Sequence, residues 1–561
     1  MMVADARRIA RTLCSVAALS IGALARAQAP VAPLPAPADA MLPPTQAPIS
    51  EADLRFRLYQ LADDSLAGRA AGERGDWVAT GIIAEEFRRL GLKPAGDSGT
   101  YFQNVPLVVG LVDSLARVSV HTSALRLWTD FVPAVGGRGF ATGPIRRIDN
   151  ARVIFGGTLG DTAHMISSVA AAGRFVVLAT PRDASGKRSP YYWRYAGLDR
   201  FPGAAAIAVV ALDVVAPFYL DELRAGIVQP APPPGAPSVP APILVSEDAA
   251  GVLLGRPLAR ARPGDGTRKV RGSVGSVLRP LPSPARNVVA VLPGSDPALR
   301  GTYVALSAHN DHIGIAPNPV DHDSLHIANM AYERVAPQRG RDSARKLHPP
   351  RPDSIFNGAD DDGSGTVALL EIAESLSVSG VRPKRSLLFV SHTAEEVGLV
   401  GSKWYADHAT VPRDSIMAEI DMDMVGRGRP EDVRGGGPGY LEIVGSRRLS
   451  SELGRLTDSI ATRQRPPFVI NYEFDVPGHP EQYYCRADHF SYARYGIPSL
   501  NMSRGDHPDY HEVTDEPQYI DFNALMRVVR FTTELALTVA NLDHRLVVDG
   551  PRTDPKAPCV Q

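Results

Sequence analysis

The sequence predicts an α/β protein with a largely parallel sheet, preceded by a smaller β-rich domain. The 561 residues exceed what one hydrophobic core usually supports, so at least two domains are expected. From Asn287 onward, apolar strands alternate with helices, a pattern typical of parallel sheets covered on both faces. Before that point, short β-rich runs are separated by Gly- and Pro-rich loops.

Residues 1–27 have the three parts of a secretory signal peptide, namely a positive start, an apolar stretch and a small-x-small cleavage site. These parts are Arg7, Arg8 and Arg11, then residues 12–24, then Ala25-Arg26-Ala27. The apolar stretch is shorter than the roughly 18 to 20 residues that span a bilayer, so we expect cleavage and no membrane anchor. The mature protein is then periplasmic or extracellular, with residues 28–48, rich in Pro and Ala, as a linker.

Charge and cysteine content narrow the possible partners and cross-links. The formal net charge is -1 and no basic block occurs, which argues against nucleic acid or an anionic membrane surface as a partner. Apart from Cys14 in the predicted signal peptide, the cysteines are Cys485 and Cys559, too few for a disulfide framework. Because Cys559 lies in the Pro-rich tail 546–561, we predict that both are unpaired.

The folded part is predicted to begin with two helices in residues 49–104. Ser50 starts a capping-type pattern, and residues 75–90 have the periodicity of an amphipathic helix. The β-rich domain, 105–285, has its strand-like runs at 151–157, 174–180, 204–212 and 243–246.

The α/β domain, 286–545, has predicted strands and helices that place several polar residues at strand ends. The strands are 287–292, 303–307, 387–391 and 416–422, and the helices are 363–379 and 524–542. Ligands of open α/β sheets bind at the carboxyl ends of the strands. His309, the pair Glu395-Glu396 and Asp423 each follow an apolar strand at that position.

His309 emerges from a strand, and Asp311 follows two positions later. A neutral imidazole binds zinc through one nitrogen while its other N–H needs an acceptor, and Asp311 is placed to supply or support that contact. A buried histidine in ordinary hydrogen bonds would explain the same motif. The motif therefore indicates a metal site only together with other candidates.

Asp360, Asp361 and Asp362 precede a small-residue turn that opens a predicted helix. A single acid here would be explained as a helix N-cap, because carboxylates bind the free N–H groups at a helix start. Three crowded carboxylates repel one another unless a cation neutralises them. A shared metal is the better explanation.

Glu395 and Glu396 directly follow an apolar strand, which argues for burial over a solvated surface pair. Two buried like charges need a cation or a proton, and a metal ligand beside a general base would use both. Asp423 at the next strand end and His511 in the run 509–516 supply a further acid and imidazole.

Residues 287–542 resemble the co-catalytic di-zinc aminopeptidases of metallopeptidase family twenty-eight. The shared motifs are a His-x-Asp, a Gly-Ala-Asp-Asp followed by Ser-Gly, a Glu-Glu, an Asp-Met and a Tyr-His. The resemblance implies a three-layer α/β/α zinc exopeptidase domain with a mixed, largely parallel sheet. Residues 105–285 resemble, in their hydrophobic pattern, the protease-associated domain often inserted in secreted exopeptidases.

The resemblance also implies residue roles and a cofactor, two zinc ions per chain. Asp361 bridges the ions, one of which is also held by His309 and Asp423 and the other by Glu396 and His511. Asp361 is preferred to Asp360 because it stands three residues before Ser364 of the Ser-Gly pair. The candidate catalytic residues are Glu395, as general base, and Asp311, and a cis peptide is implied at Asp361-Asp362.

The sequence departs from the family pattern between His312 and Asn357. The insert 313–356 is long and loop-like, and we expect its histidines, His322, His326 and His348, to be solvated rather than extra ligands.

The implied function is removal of N-terminal residues from peptide substrates. A carboxypeptidase of the same family is an alternative and would need a cationic pocket, for which Arg486, Arg494 and Arg504 are available. A single-zinc glutaminyl cyclase and a non-catalytic peptide-binding protein are the others. A nucleophilic hydrolase is disfavoured because no Gly-x-Ser-x-Gly motif occurs.

Overall fold

The computed structural model describes residues 48–133, 145–183, 185–188, 200–215, 217–232, 240–332, 349–552, 554–557 and 559–561. The predicted signal peptide, nearly all of the predicted linker, and His348 lie outside these residues. Across the described residues, every helix is too short or too polar to cross a membrane.

The strands are numbered in chain order, and the first one follows the two N-terminal helices. They are β1 (Lys93–Pro94), β2 (Phe102–Asn104), β3 (Leu107–Val112), β4 (Arg117–Val120), β5 (Ser123–Leu125), β6 (Phe131–Pro133), β7 (Arg146–Thr158), β8 (Phe175–Ala179), β9 (Ala206–Val210), β10 (Ile227–Pro230), β11 (Ala241–Val245), β12 (Lys269–Val274), β13 (Ser276–Pro280), β14 (Arg286–Leu292), β15 (Tyr303–His309), β16 (Gly314–Asp321), β17 (Pro352–Phe356), β18 (Ser386–His392), β19 (Ile416–Met422), β20 (Tyr440–Val444), β21 (Val469–Asn471) and β22 (Ser499–Ser503).

The α-helices are numbered in the same way. They are α1 (Glu51–Leu61), α2 (Arg74–Arg89), α3 (Ser168–Ala171), α4 (Pro217–Ala225), α5 (Glu247–Leu254), α6 (His322–Tyr332), α7 (Gly365–Ser379), α8 (Val400–Asp407), α9 (Ser451–Arg463), α10 (His489–Ala493) and α11 (Phe522–Ala540). Ser50 caps α1, its side chain accepting the N–H of Asp53, as the sequence pattern predicts.

The chain divides into two compact units. Among the described residues, one is Val108–Pro280, and the other combines residues 48–107 with Leu281–Gln561. In the first unit the main sheet has the order β5-β4-β12-β7-β8-β9-β11-β6, with β7, β8, β9 and β11 parallel. Helices α3, α4 and α5 pack on this sheet, which makes the unit β-rich but not purely β.

The second unit is built on a mixed sheet with the order β1-β14-β18-β15-β19-β22-β20-β21, and β2 also pairs with β14. Strands β18, β15, β19 and β22 are mutually parallel, whereas β14 and β20 flank them in antiparallel pairings. The predicted α/β class with a mixed sheet is therefore confirmed. Parallel pairing is concentrated at the centre, where carboxyl ends of neighbouring strands meet at one edge.

Helices cover both faces of this sheet because successive residues of a strand point to opposite sides. Val304 and Leu306 of β15 belong to a core shared with α1, α2, α7, α9 and α11. Ala305, between them, packs on the other face with Tyr405 of α8 and Tyr492 of α10. The helices α1 and α2 thus complete the α/β domain although they precede it by some two hundred residues.

The insert 313–356 is not a loop in its described part. Strands β16 and β17 form an antiparallel ribbon, and α6 follows β16 directly. The expectation of a loop-like insert is wrong here, because regular structure is completed by pairing between segments far apart in sequence, which no local pattern reveals.

The prediction that Cys485 and Cys559 are unpaired is also wrong, since the two form a disulfide. The C-terminal segment folds back onto residues 474–485. The Gln561 side chain accepts the N–H of Tyr484 and donates to the carbonyl of Phe474. This return of the tail, which brings the two sulfur atoms together, has no signal in its Pro-rich composition.

We expect Cys559→Ser to lower the free energy of unfolding by about 4 kcal/mol, because the cross-link joins residues 74 positions apart and restricts the unfolded chain. Urea denaturation of the variant and the wild type would measure the difference. Dithiothreitol should lower wild-type stability by a similar amount and leave the variant unchanged. A wild type indifferent to reduction would contradict the cross-link.

Candidate functional site

The polar residues singled out in the sequence converge at the carboxyl edge of the parallel strands. His309 ends β15, Glu395 and Glu396 follow β18, and Asp423 follows β19. His511 lies in the segment after β22. The parallel register places these ends side by side, so residues more than a hundred positions apart become neighbours.

One cluster joins His309, Asp361 and Asp423. The Nε2 atom of His309 lies 3.1 Å from Oδ1 of Asp361 and 3.6 Å from Oδ1 of Asp423. Its Nδ1 is 3.1 Å from the carbonyl oxygen of Asp311. Donation from Nδ1 to that carbonyl leaves Nε2 as a free lone pair directed at the two acids.

Asp311 supports His309 differently from the prediction. Its backbone carbonyl, not its carboxylate, is the hydrogen-bond partner of the ring, and the nearest carboxylate oxygen is 3.7 Å from Nδ1. The carboxylate instead accepts the backbone N–H of Glu395 at 3.0 Å. Asp311 therefore links the His309 segment to the glutamate pair.

A second cluster shares Asp361. The Nε2 atom of His511 lies 3.1 Å from Oδ2 of Asp361 and 3.2 Å from Oε2 of Glu396. The two oxygens of Asp361 thus face different histidines. The aspartate lies between the clusters, which is the position that a bridging ligand requires.

Asp360 and Asp362 have other partners. Asp360 accepts the N–H of Gly426 at 2.6 Å. Asp362 accepts the N–H groups of His309 and Gly365, so it is the acid that caps α7. The implied cis peptide at Asp361-Asp362 is present, and Asp361, not Asp360, faces both histidines.

Backbone contacts hold the turn that carries Asp361. The buried guanidinium of Arg69 donates to the carbonyls of Asn310, Asn357 and Gly358 at 3.0, 2.5 and 2.8 Å. Asp515 accepts the N–H groups of Asp360 and Asp361 at 3.0 Å. Neither Arg69 nor Asp515 was singled out from sequence, because each acts on main-chain atoms and belongs to no recognised motif.

The insert contributes a support to the segment that carries His511. Within α6, the side chains of His326 and Asn329 contact the Asp509 carboxylate at 3.0 and 3.1 Å. The His326 ring also stacks on Tyr519 at 3.9 Å.

His322 is fully buried and lies 2.9 Å from Asp353, so the expectation of solvated histidines is wrong for these two. His326 is 19% exposed but bonds Asp509 and stacks on Tyr519, contacts that depend on tertiary packing. His322, Asp353 and Glu516 also form a small His/Asp/Glu group of their own.

His312 also belongs to the site, although sequence analysis gave it no role. It lies in the same short motif as His309 and Asp311. Its Nδ1 lies 2.7 Å from Oε1 of Glu396 and 3.8 Å from Oδ2 of Asp361. The available signal was its position three residues after His309, within the same short motif.

The adjacent glutamates differ in protonation. Burial, with Glu396 beside it, raises the pKa of Glu395 well above its usual range. Against the effect of burial, His511 and His312 lower the pKa of Glu396 to about 2. Environments that push two pKa values apart are the usual basis for separate acid and base roles.

The acids of the site exceed the cationic side chains that could neutralise them. Among the described residues, the ion pairs of Asp361, Glu396 and Asp423 are all with histidines. Several buried ligand-type atoms also have no hydrogen-bond partner among those residues, namely Nε2 of His309, Oδ2 of Asp361, Oε1 of Glu396 and Oδ1 of Asp423. Imidazole nitrogen and carboxylate oxygen left unpaired at these distances fit divalent metal ions such as zinc.

Comparison with known proteins agrees with this geometry. Residues 287–536 match the model of peptidase family M28. Over these residues, the α/β domain is similar to this family. The match covers the segments that carry His309, Asp361, the glutamate pair, Asp423 and His511.

Individual relatives of the M28 domain are moderately similar. Leucine aminopeptidase 1 of Ajellomyces dermatitidis is 32% identical over 196 residues, which make up 33% of this chain and 48% of that protein. The chain thus spans about half the length of the curated relatives it matches.

Solved structures to which the chain is similar include an aminopeptidase from Aneurinibacillus sp. strain AM-1, with a TM-score of 0.49, 17% identity, and coverage of 91% of this chain and 98% of that one. BSAP, a zinc aminopeptidase from Bacillus subtilis, has a TM-score of 0.45 and 15% identity, and covers 87% of this chain and 94% of its own.

We expect the stability of the metal-free protein to fall as the pH rises from about 4 to 7. Burial raises the pKa of Asp360 to about 7 and, together with Asp423, that of Asp421 to about 6. An acid with a raised folded-state pKa stabilises the fold fully below its unfolded value, near 4, and that contribution is lost as the pH passes the folded value.

Calorimetry of chelator-treated protein at several pH values would measure this decline. Reloading with zinc should reduce it, because bound cations favour the ionised carboxylates. If stability falls equally steeply with pH in the presence and absence of zinc, the charges of these acids are balanced by groups other than a metal ion.

Proposed function

We propose that the chain is an exported, zinc-dependent aminopeptidase that hydrolyses N-terminal residues from peptides. The observation that carries the proposal is the pair of ligand clusters that share Asp361. Support also comes from the family of the α/β domain and from a curated relative named as a leucine aminopeptidase. Export rests on the signal-peptide pattern of residues 1–27.

The proposed metal ligands divide between two ions. His309 and Asp423 would hold one zinc, Glu396 and His511 the other, and Asp361 would bind both. Mixed imidazole and carboxylate donors suit zinc, and a catalytic site keeps positions open for water and substrate. When bound, the zinc ions would lower the pKa of a water molecule and polarise the scissile carbonyl.

Glu395 is proposed to carry the proton. It is 6% exposed and belongs to neither ligand cluster, so its carboxylate is free to react. It would accept a proton from the attacking water and deliver it to the leaving amine, which becomes the new N-terminus of the shortened peptide. Asp311 holds the Glu395 main chain through its N–H and is proposed as the residue that positions this base.

The open side of the site indicates where a peptide would enter. The side chains of His511 and Asp423 are 37% and 21% exposed, whereas those of His309, Asp361 and Glu396 are at most 9% exposed. Substrate would therefore approach over His511 and Asp423. A peptide α-amine would find carboxylates there, which suits an aminopeptidase.

The carboxypeptidase alternative depends on a free arginine near the site. Arg504 is buried and donates to four main-chain carbonyls, those of Arg427, Gly428, Gly437 and Tyr440. Arg494 pairs with Asp407. Arg486 lies beside Tyr483 and 3.8 Å from a carboxylate oxygen of Glu481, but its side chain is 33% exposed, so it is the most accessible of the three to a substrate carboxylate.

The unit Val108–Pro280 is proposed to be a protease-associated domain. Its support is the hydrophobic pattern of its strands and its insertion between α2 and the rest of the α/β domain. We assign it no residue of the reaction.

Replacing Glu395 with Gln should lower kcat by about a hundredfold or more and leave bound zinc unchanged, because the amide cannot accept the proton. Steady-state assays and metal analysis would measure both quantities. Glu442→Gln is the matched control, since Glu442 is another buried glutamate, hydrogen-bonded to Tyr440 and outside both clusters. Full turnover by Glu395→Gln would show that Glu395 is not the general base.

Peptides blocked at one end would separate the two exopeptidase activities. We expect a peptide with a free α-amine and an amidated carboxyl end to be hydrolysed, and its N-acetylated counterpart with a free carboxylate to be resistant. Product analysis by mass spectrometry would identify the residue released. The reverse preference would indicate a carboxypeptidase, with Arg486 as the first residue to substitute.

A further inference from the structure

Among the described residues, His312 is the imidazole that contacts the second ligand cluster without being assigned by the family motif. Its side chain is buried, and Nδ1 lies 2.7 Å from Oε1 of Glu396 and 3.8 Å from Oδ2 of Asp361. The ring meets that of His511 edge-on, with centroids 5.7 Å apart. His312 and His511 therefore approach the same pair of carboxylates from two directions.

Both ring nitrogens of His312 are buried without a hydrogen-bond partner among the described residues. Buried polar atoms are normally paired, and an unpaired one costs about 1 to 3 kcal/mol. Nδ1 has one short contact, that with Oε1 of Glu396. An ion held jointly by the imidazole and the carboxylate would satisfy both groups.

The position of the His312 ring is fixed by the backbone around it. A Cβ atom on Gly358, where φ is +56°, would lie 2.5 Å from Cγ of His312, so only glycine leaves room for the ring. On the other side, the N–H of His312 donates to the carbonyl of Arg69 at 3.1 Å. The turn that carries Asp361 and the segment that carries His312 are thus built to fit each other.

We propose that His312 is a further ligand of the metal ion held by Glu396 and His511. The proposal rests on the metal centre of the proposed function. It makes the two sites unequal, with one imidazole beside Asp361 and Asp423, and two imidazoles beside Asp361 and Glu396.

The separations of the ligand atoms agree with a shared ion. Zinc bonds of about 2.0 to 2.1 Å at the tetrahedral angle put ligand atoms about 3.4 Å apart, and because zinc can also take five ligands, a position would stay open for water or substrate beside four protein ligands. The contacts of Asp361 and Glu396 with His511 and His312 range from 2.7 to 3.8 Å, on either side of that value. Two imidazoles also make the second site the better one for zinc, since imidazole suits zinc whereas carboxylate and water suit magnesium or manganese.

The main test is zinc binding by His312→Ala, measured by competition with a chromogenic chelator. We expect wild type to bind two zinc ions and the variant to bind one of them at least about tenfold more weakly. His489→Ala is the matched control, because His489 is also fully buried with both ring nitrogens unpartnered and belongs to neither cluster. Its zinc affinity should equal that of wild type. Unchanged affinity in His312→Ala would overturn the proposal.

His312→Asn separates a ligand from a hydrogen-bond donor and serves if the alanine variant does not fold. An asparagine amide can place a donor near the position of Nδ1 and still bond Glu396, but it is a poor zinc ligand. We expect His312→Asn to lose zinc affinity as His312→Ala does. Wild-type affinity in His312→Asn would mean that the ring only donates to Glu396, which would also overturn the proposal.

These measurements distinguish this inference from the proposed function. Wild-type protein that binds two zinc ions but hydrolyses no peptide would refute the aminopeptidase and leave the role of His312 to be decided by zinc affinity. Wild type that hydrolyses peptides, with His312 variants that bind zinc normally, would refute only the ligand assignment.

Discussion

The constraint on which the α/β domain depends is the burial of several carboxylates at one edge of its sheet. Parallel strands deliver their carboxyl ends to the same place, and here the residues after those ends include Glu395, Glu396 and Asp423. The turn before α7 adds Asp361, and the carboxylates of Asp361, Glu396 and Asp423 lie 3.1 to 3.6 Å from the Nε2 atoms of His309 and His511. Like charges in such a place must be neutralised by protons, by basic side chains or by metal ions. The surrounding structure is best understood as a means of holding this cluster in position.

Another acidic cluster of the same domain shows the alternative solution. Glu371 and Glu374 of α7 are also buried, but the guanidinium of Arg57 pairs with both, and Glu86 joins the group. Near the candidate metal site, the guanidinium of Arg69 instead donates hydrogen bonds to main-chain carbonyls. The acids there are left with histidines as partners, which is the arrangement expected of ligands and not of a structural ion pair.

Two features far from the motifs support the same site. Helix α6 of the insert binds Asp509, two residues before His511, and the Asp515 carboxylate holds the turn that carries Asp361. Each of these contacts positions main chain that bears a candidate ligand. Supporting contacts of this kind commonly set the orientation of ligands in metal sites.

The sequence alone was sufficient to predict the class of fold, the central strands and the candidate metal ligands. Hydrophobic runs and strand-end acids are local patterns, and local patterns are readable without a structure. Only the tertiary structure decided that Asp361 faces both histidines and that His312 belongs to the second cluster. It also decided that His322 is buried, that His326 contacts Asp509, and that Cys485 pairs with Cys559. These facts depend on the direction of side chains and on contacts between distant segments, which are set by packing of the whole domain and leave no periodic signal in the chain.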